Sequence, residues 1–317
     1  MLRAKNFLFP MLALIALLTG CGTGKDQARL DLAQLNVPFT EQAFIENARQ
    51  GNTTAVELFL KAGMNPEIKN TEGQTPMLAA TLANKFDVVK LLAENGGDIN
   101  ATNKYKGTPL MTAVWTKNES IFNFLLERGA KVDAQDNAGM TALMLAAWEN
   151  QEGFIKALLG KRANIEARDE HGWTAIMRAA FKGHTESVRA LFEGGADVNA
   201  QSPAGDTALM QAAELGHIET VKALIDCRAD VHARDGNGKT ALLRASEKGH
   251  DEVVQTLLAA GASFNAKDNG GKSRLSLATI NHFPRLFLRS AFMTQYQRFS
   301  RFQEVGHAAH SQRRFDG

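Results

Sequence analysis

The chain has 317 residues, of which 44% are hydrophobic and 22% are charged, a composition that excludes disordered and fibrous proteins. Lysine and arginine total 36 against 34 aspartates and glutamates, and the net charge of +2 gives no electrostatic reason to expect nucleic acid as a partner. The two cysteines, Cys21 and Cys227, are too few for a disulfide framework and lack the neighbouring ligands of a structural zinc site. We therefore expect no cofactor and no metal, and we expect Cys227 to pack as an inert thiol.

The N-terminal residues have the pattern of a secretion signal. Arg3 and Lys5 precede an apolar run of 12 residues, 7–18, whereas a transmembrane helix needs about 20. The run ends in a Leu-Thr-Gly-Cys segment at 18–21. This pattern predicts a signal peptide over residues 1–20, and a permanent transmembrane helix is the less favoured alternative.

The Leu-Thr-Gly-Cys segment resembles the lipobox of bacterial lipoproteins, in which the cysteine is acylated and the chain is cut just before it. The resemblance implies acyl chains on Cys21, a polar tether over residues 21–37, and a folded part that faces the periplasm from a membrane of the bacterial cell envelope. Gly22, rather than Asp, follows the cysteine, which implies the outer membrane rather than the inner one. An ordinary signal peptide with an incidental cysteine is the alternative.

One period governs the rest of the chain. A hydroxyl residue recurs every 33 residues without an insertion, and an alanine follows five positions after each hydroxyl. The hydroxyl residues are Thr75, Thr108, Thr141, Thr174, Thr207, Thr240 and Ser273, and the alanines are Ala80, Ala113, Ala146, Ala179, Ala212, Ala245 and Ala278. A glycine lies two positions before the hydroxyl in most copies, and in the third copy it is displaced by one, to Gly107. Two independent columns that hold in seven copies indicate an internal repeat.

Each column has a physical role. Thr or Ser can cap the N-terminus of a helix, and Pro76 and Pro109, directly after the hydroxyl, occupy the first helical position, where no backbone donor is needed. The alanine, one turn later, allows a neighbouring helix to approach closely. Gly183, Gly216 and Gly249 then end this first helix in the left-handed conformation, and apolar residues at helical spacing predict a second helix.

The segment that begins at residue 235 reads Asp-x-x-Gly-x-Thr-Ala-Leu and is followed by Gly-His at 249–250 and Gly-Ala at 261–262. It resembles the ankyrin repeat in period and motif. The resemblance implies a β-turn or hairpin and two antiparallel helices in each unit, stacked into an α-helical solenoid. We expect about eight units over residues 38–301, with divergent first and last units as caps, followed by a basic, disordered tail at 302–317. The units are 38–70, 71–103, 104–136, 137–169, 170–202, 203–235, 236–268 and 269–301.

The motifs that could carry a reaction coincide with the repeat. Residues 233–240 and 266–273 each differ by one residue from a nucleotide-binding P-loop, with alanine in place of its first glycine. Both segments fall at the same place in the repeat, where glycine, lysine and hydroxyl act as turn, tip and helix cap. His184, His217 and His250 recur every 33 residues as the start of second helices and not as a metal triad. We therefore expect no enzymatic activity.

The positions that vary inside the repeat are better candidates for function, because stability fixes the repeating positions. Seven residues after the hydroxyl, the series runs Leu82, Trp115, Trp148, Phe181, Glu214, Glu247 and Ile280, and its three consecutive aromatic side chains would stack as a ladder. In the ankyrin family the partner meets the turn tips and the exposed side of the first helix. The candidate partner-binding residues are Tyr105, Trp115, Met140, Trp148, His171, Trp173, Arg178, Phe181, Gln211 and Arg244. The alternative is that these rings are ordinary core between repeats.

These observations favour a non-enzymatic protein-protein interaction scaffold, lipid-anchored in the bacterial cell envelope, that binds another envelope protein through the concave face of the array. We expect a monomer that binds a protein partner and no nucleic acid. An inhibitor or immunity-type protein, which blocks a toxin or an enzyme with the same surface, is the alternative function. An enzyme hidden in the divergent C-terminal unit is the third and least favoured.

Overall fold

Short helices form the regular structure of residues 23–273, the residues that this computed structural model describes. Within this range there are fifteen α-helices and no β-strand. The helices are α1 Gly24–Gln34, α2 Glu41–Gln50, α3 Thr53–Lys61, α4 Pro76–Leu82, α5 Phe86–Glu94, α6 Pro109–Trp115, α7 Glu119–Glu127, α8 Ala142–Trp148, α9 Glu152–Gly160, α10 Ala175–Lys182, α11 Thr185–Glu193, α12 Ala208–Glu214, α13 Ile218–Asp226, α14 Ala241–Lys248 and α15 Asp251–Ala259.

A threonine starts the first helix of each repeat, as predicted. The side chains of five threonines accept a hydrogen bond from the backbone N–H three residues later, at 3.3–3.4 Å. These caps are Thr75, Thr108, Thr141, Thr207 and Thr240. Thr174 is the exception, because its hydroxyl is buried without a hydrogen-bond partner although the residue lies at the same position before α10.

The described residues fall into two compact units, a first unit that ends at Pro203 and a second unit that begins at Ala204. In the first unit the first helices α2, α4, α6, α8 and α10 pack in series, and the second helices form a parallel row behind them. In the second unit α12 packs on α14, and α13 packs on α15. Each unit is therefore a stack of antiparallel helix pairs, which confirms the predicted helical repeat solenoid.

The alanine column makes this stacking possible. All six of its described members, Ala80, Ala113, Ala146, Ala179, Ala212 and Ala245, are fully buried within their units. A methyl side chain at this position lets the backbones of neighbouring first helices approach closely. The prediction that the alanines are helix contacts is confirmed.

The turn before most of the first helices is held by one acidic or amide side chain, namely Asn70, Asn103, Asp136, Asp169 or Asp235. The Asp136 carboxylate, for example, accepts hydrogen bonds from the backbone N–H groups of Ala138 and Met140, both at 2.9 Å. Adjacent tips are then joined through the backbone, as where Asn137 N–H donates to the Tyr105 carbonyl at 2.9 Å. The tips of each unit therefore form a continuous rim beside the first helices.

The third repeat departs from this pattern at its tip. Gly73, Gly139 and Gly172 have φ values of +71°, +73° and +72°, and Lys106 occupies the equivalent place with φ +60°. The glycine that the sequence displaces to Gly107 does not restore the turn, so a lysine adopts a conformation that favours glycine. This backbone strain is local, because the tip keeps its hydrogen bonds from Tyr105 and Gly107 to Asn103.

The N-terminal part of the described chain corrects the sequence analysis. Most of the expected tether at 21–37 is the helix α1, which buries Ala28 and Leu32 and packs on α3. The row of second helices therefore begins one helix before the expected first unit at 38–70, because α1 precedes α3 in that row. The capping hydroxyl of that unit is Thr40, which accepts from Ala43 N–H at 3.2 Å, two residues before the expected position.

Several sequence predictions concern residues outside the described range. They are the signal peptide at 1–20, the acylated Cys21, all but the opening turn of the unit at 269–301, and the tail at 302–317. The opening turn is formed, because the Asp268 carboxylate accepts from Gly270 and Lys272 N–H at 2.9 Å. Cys227 is buried after the last residue of α13.

Candidate protein-binding site

Several candidate binding residues of the first unit meet around one arginine. Arg178 lies in the middle of α10, and its Nε donates to Asp169 Oδ2 at 2.6 Å. The other oxygen, Oδ1, accepts from the backbone N–H groups of His171 and Trp173, at 2.8 and 3.0 Å. The Asp169 side chain is fully buried, and that of Arg178 is 14% exposed. One buried carboxylate thus joins the turn tip to the helix that follows it.

Two tryptophan rings lie against this arginine and a phenylalanine ring contacts both of them, and we call Trp148, Trp173 and Phe181 the aromatic cluster. The Arg178 guanidinium carbon lies 4.8 Å from the ring centroid of Trp173 and 5.7 Å from that of Trp148. Phe181 stacks on Trp148 at 5.9 Å between centroids and 14° between planes, and it contacts Trp173 at 5.4 Å. Lys182 Nζ lies 4.8 Å from the Trp148 centroid. All three rings are half-buried.

Two further aromatic side chains are largely exposed. Tyr105, at the tip of the third repeat, is 60% exposed, and Trp115, at the end of α6, is 58% exposed. Leu82 occupies the same column as Trp115 one repeat earlier and is also exposed. Lys104 Nζ lies 5.0 Å from the Tyr105 ring centroid. We call Leu82, Tyr105, Trp115 and the aromatic cluster together the aromatic face.

The predicted ring ladder forms in part. Trp148 and Phe181 stack, but Trp115 makes no ring contact with another aromatic side chain in the described part of the chain. Met140 is half-buried at its tip, and His171 is exposed with its Nε2 3.7 Å from Glu170 Oε1. Sequence reasoning missed Asp169 and Lys182, although an acidic residue at the turn and a lysine directly after Phe181 were visible signals.

The remaining candidates, Gln211 and Arg244, lie in the second unit, where the surroundings are charged. Arg244 on α14 donates from Nη2 to Asp235 Oδ2 at 2.6 Å and from Nη1 to Glu214 Oε2 at 3.0 Å. Its Nη2 also contacts Asp206 Oδ1. We call Asp206, Glu214 and Asp235 the carboxylate cluster. Gln211 is buried, with 7% of its surface exposed, so it is less accessible to a partner than the sequence analysis expected.

Arg244 and the carboxylates around it stabilise each other's charged forms. Burial by itself raises the pKa of Asp235, but hydrogen bonds from Arg244 and from Lys239 N–H outweigh it, so the pKa lies below the ordinary range. Burial likewise disfavours the charged form of Arg244, and its hydrogen bond with Asp235 and its attraction to Asp206 raise its pKa instead. The cluster lines an open cavity of about 430 Å³ together with Gln211, Lys239, Glu247 and three other residues.

The structure assigns the remaining sequence motifs to the framework. His184 Nε2 donates to the Trp148 carbonyl at 2.9 Å, and His250 Nε2 donates to the Glu214 carbonyl at 3.0 Å. In the segment that resembles a P-loop, Asp235 Oδ1 accepts from Asn237 and Lys239 N–H, both at 2.8 Å. The N–H groups that would face a phosphate are therefore bonded to the turn's own carboxylate.

Residues 23–273 also show what they lack for metal binding and for crossing a membrane. No group of three or more His, Cys, Asp and Glu side chains in this range is arranged to hold a metal ion. No helix in the same range combines the length and the apolar character that crossing a bilayer requires.

Comparison with known proteins identifies the family. Three copies of the ankyrin repeat family model match residues 44–136, 129–202 and 176–268. The chain therefore belongs to the ankyrin repeat family, whose members generally act as protein-protein interaction scaffolds. It is also similar over 81 residues to the Notch-regulated ankyrin repeat-containing proteins of Xenopus tropicalis, at 32% identity, and Homo sapiens, at 33% identity. Each match covers 24% of this chain and 71% of the relative.

Proposed function

We propose that this chain is a non-enzymatic scaffold that binds another protein through the aromatic face of its first unit. The observation that carries the proposal is the exposure of Tyr105 and Trp115, 60% and 58%, beside the half-buried aromatic cluster. Large exposed aromatic side chains contribute much binding free energy when a partner buries them. Trp, Tyr and Arg are the residues enriched in binding hot spots. The aromatic face carries Trp and Tyr, and Arg178 lies against two of its rings.

Partner capture by a matched pair of variants tests this proposal. Trp115→Ala removes an exposed ring, so capture should weaken by about 2 kcal/mol or more while folding stability changes little. Leu215→Ala is the control, because Leu215 is also an exposed apolar side chain (41%) but lies in the second unit. The bait is the full chain, and the prey is a membrane extract analysed by mass spectrometry. Undiminished capture by Trp115→Ala would contradict the proposal.

The captured protein also separates two functions of the same surface. A structural or housekeeping protein of the cell envelope supports the scaffold. A toxin or an enzyme whose activity falls when the purified chain is added supports an inhibitor or immunity role. Both outcomes require the aromatic face, so the Trp115→Ala variant serves as the control for each.

We further propose that acyl chains on Cys21 hold the scaffold to a membrane of a bacterial envelope. The support is the sequence pattern of two basic residues, an apolar run and Leu-Thr-Gly-Cys at 18–21. Acyl chains would supply the membrane affinity, so Cys21→Ala should give a soluble or unprocessed protein after cell fractionation. Cys21→Ala protein that is processed and still sediments with membranes would contradict the proposal, and Cys227→Ala is the matched control.

A further inference from the structure

We propose that the partner segment on the aromatic face is an acidic polypeptide that also carries apolar side chains. This inference rests on the proposed function and adds the chemistry of the partner. Its basis is the position of the lysine and arginine side chains relative to the exposed rings, and the pairing of each charge within the first unit.

Lysine and arginine side chains lie close to several rings of the aromatic face. Lys104 Nζ lies 5.0 Å from the ring centroid of Tyr105, and Lys182 Nζ lies 4.8 Å from that of Trp148. Arg178 lies against Trp148 and Trp173, and its charge is balanced by the buried Asp169. A positive charge close to a ring leaves the surrounding surface favourable to an approaching carboxylate.

Two lysines of this face, Lys182 and Lys106, have no carboxylate partner among the described residues. Lys104 pairs with Glu72, and Lys117, after α6, pairs with Glu149 at 3.3 Å. Lys182, by contrast, has no ion pair among the described residues, and Lys106, exposed beside Tyr105, has none either. These two lysines can therefore bind partner carboxylates without breaking an existing ion pair.

The acidic groups near the face do not change this conclusion. Glu72 and Glu149 are each neutralised by a lysine, and Asp169 is neutralised by Arg178. Two tip carboxylates do not contact a lysine or arginine among the residues described: Asp136 is half-buried and bonded to the backbone N–H groups of its own turn, and Glu170 is exposed, 3.7 Å from His171. Two exposed unpaired lysines against one exposed carboxylate of this kind, Glu170, favour an acidic partner over a basic one.

The apolar part of the partner follows from the exposed side chains. Leu82, Tyr105 and Trp115 are 45%, 60% and 58% exposed. A highly charged peptide without apolar groups would leave these side chains in water and would gain only screened ion pairs. The segment that fits combines aromatic or aliphatic residues with aspartate or glutamate.

Selection from a library of random peptides tests the chemistry without knowledge of the natural partner. Short linear peptides displayed on phage are selected on the full chain, and the enriched peptides are then tested for binding to the Trp115→Ala variant. We expect enriched peptides in which Asp and Glu outnumber Lys and Arg and which contain aromatic or aliphatic residues. Their affinity should fall as salt is raised, because the lysines are exposed.

Charge reversal then identifies the lysines. Lys182→Glu and Lys106→Glu should each weaken an enriched peptide by about three- to tenfold, the range expected for exposed ion pairs that become repulsive. Lys90→Glu is the control, because Lys90 is exposed and unpaired among the described residues but lies on the second helix α5. Fluorescence anisotropy of the labelled peptide measures each dissociation constant.

The outcomes separate this inference from the proposed function. Enriched peptides that are neutral or basic, and that still lose binding with Trp115→Ala, overturn the acidic partner and leave the aromatic face as a binding surface. Peptides that bind Trp115→Ala as well as the unchanged chain overturn the proposed function itself. Acidic peptides that bind Lys182→Glu and Lys106→Glu undiminished also overturn the inference.

Discussion

Arg178 and Arg244 occupy equivalent positions in repeats that are 66 residues apart, but most of the side chains around them differ. Each arginine binds an aspartate nine residues earlier, and each aspartate also holds the backbone of its own turn. The aromatic side chains Trp148, Trp173 and Phe181 around the first arginine correspond to Glu214, Lys239 and Glu247 around the second. The framework pair is kept, and the residues around it change from aromatic to charged.

The equivalence extends to the neighbouring lysine. Lys182 follows Phe181 and places its ammonium group against the Trp148 ring, at 4.8 Å from the centroid. Lys248, its counterpart 66 residues later, forms an ion pair with Glu214 at 3.4 Å. The same lysine thus contacts the same column, and the residue in that column decides whether the contact is cation-π or ionic. A repeat can therefore change its surface chemistry while its hydrogen-bonded turn and helix remain the same.

The largest loss of folding stability is expected when the arginine beside each cluster is replaced. Arg244→Met leaves Asp206, Glu214 and Asp235 without their shared cation, and the free energy of unfolding should fall by about 3–5 kcal/mol. Arg178→Met leaves one buried carboxylate, and methionine can still pack between the rings, so about 2–3 kcal/mol is expected. Urea unfolding followed by circular dichroism measures both. Equal losses would show that the surrounding residues do not matter.

The second comparison removes one equivalent residue from each cluster. Trp148→Ala should cost about 2 kcal/mol of folding stability, roughly half the loss for a fully buried tryptophan, because the ring is half-buried and stacks on Phe181. Glu214→Ala, the equivalent change in the second unit, should cost about 0–1 kcal/mol, since this side chain is 33% exposed. Thermal unfolding of the two variants checks the order. A loss of about 4 kcal/mol for Trp148→Ala would assign this ring to the core.

The carboxylate cluster should also make stability depend on pH. The pKa of Asp235 is lowered in the folded chain, so its stabilising effect is present above the ordinary aspartate pKa of about 4 and is lost as the pH falls below it. The unfolding free energy of the unchanged chain should therefore decrease between about pH 5 and pH 2. Asp235→Asn should lower stability near neutral pH and flatten this decrease. An unchanged pH profile in Asp235→Asn would contradict the assignment.

The smallest expected effect concerns the framework and not the clusters. Lys106→Gly replaces a residue at φ +60° with the residue that this conformation favours, and stability should rise by about 0.5–1 kcal/mol. Gly139→Ala is the opposite control, because its φ is +73° and an added Cβ would lie 2.8 Å from the Glu170 backbone nitrogen. Differential scanning calorimetry compares the two. A Lys106→Gly chain that melts at a lower temperature would show that Lys106 makes a contact worth more than the strain.

The repeat framework could be predicted from sequence because each of its positions must meet one physical requirement. Thr141 must cap a helix and Ala146 must leave space, and both demands recur every 33 residues. The helix α1 could not be found in this way, because it lies outside the period and buries only Ala28 and Leu32. Its polar composition resembles that of a tether.

The binding residues were predicted in part for the same reason. The aromatic column was visible, but the sequence does not reveal which rings are exposed, and Trp115 and Trp148 differ in this respect. The ion pair of Asp169 with Arg178 depends on the side-chain paths across a turn. Its recurrence as Asp235 with Arg244 was the available signal, since the same spacing of nine residues appears in two repeats.

The hydrogen bonds between repeats have a consequence for the kinetics of folding. The side-chain bonds that join neighbouring repeats connect residues 30–38 positions apart, such as Arg244 with Glu214 at 30 and Arg244 with Asp206 at 38. Loop closure over such short distances carries a small entropic cost, and no pairing has to wait for distant parts of the chain. Folding can therefore start at any two adjacent repeats and spread in both directions, so that α2–α5 can be in place while the later repeats are still being synthesised.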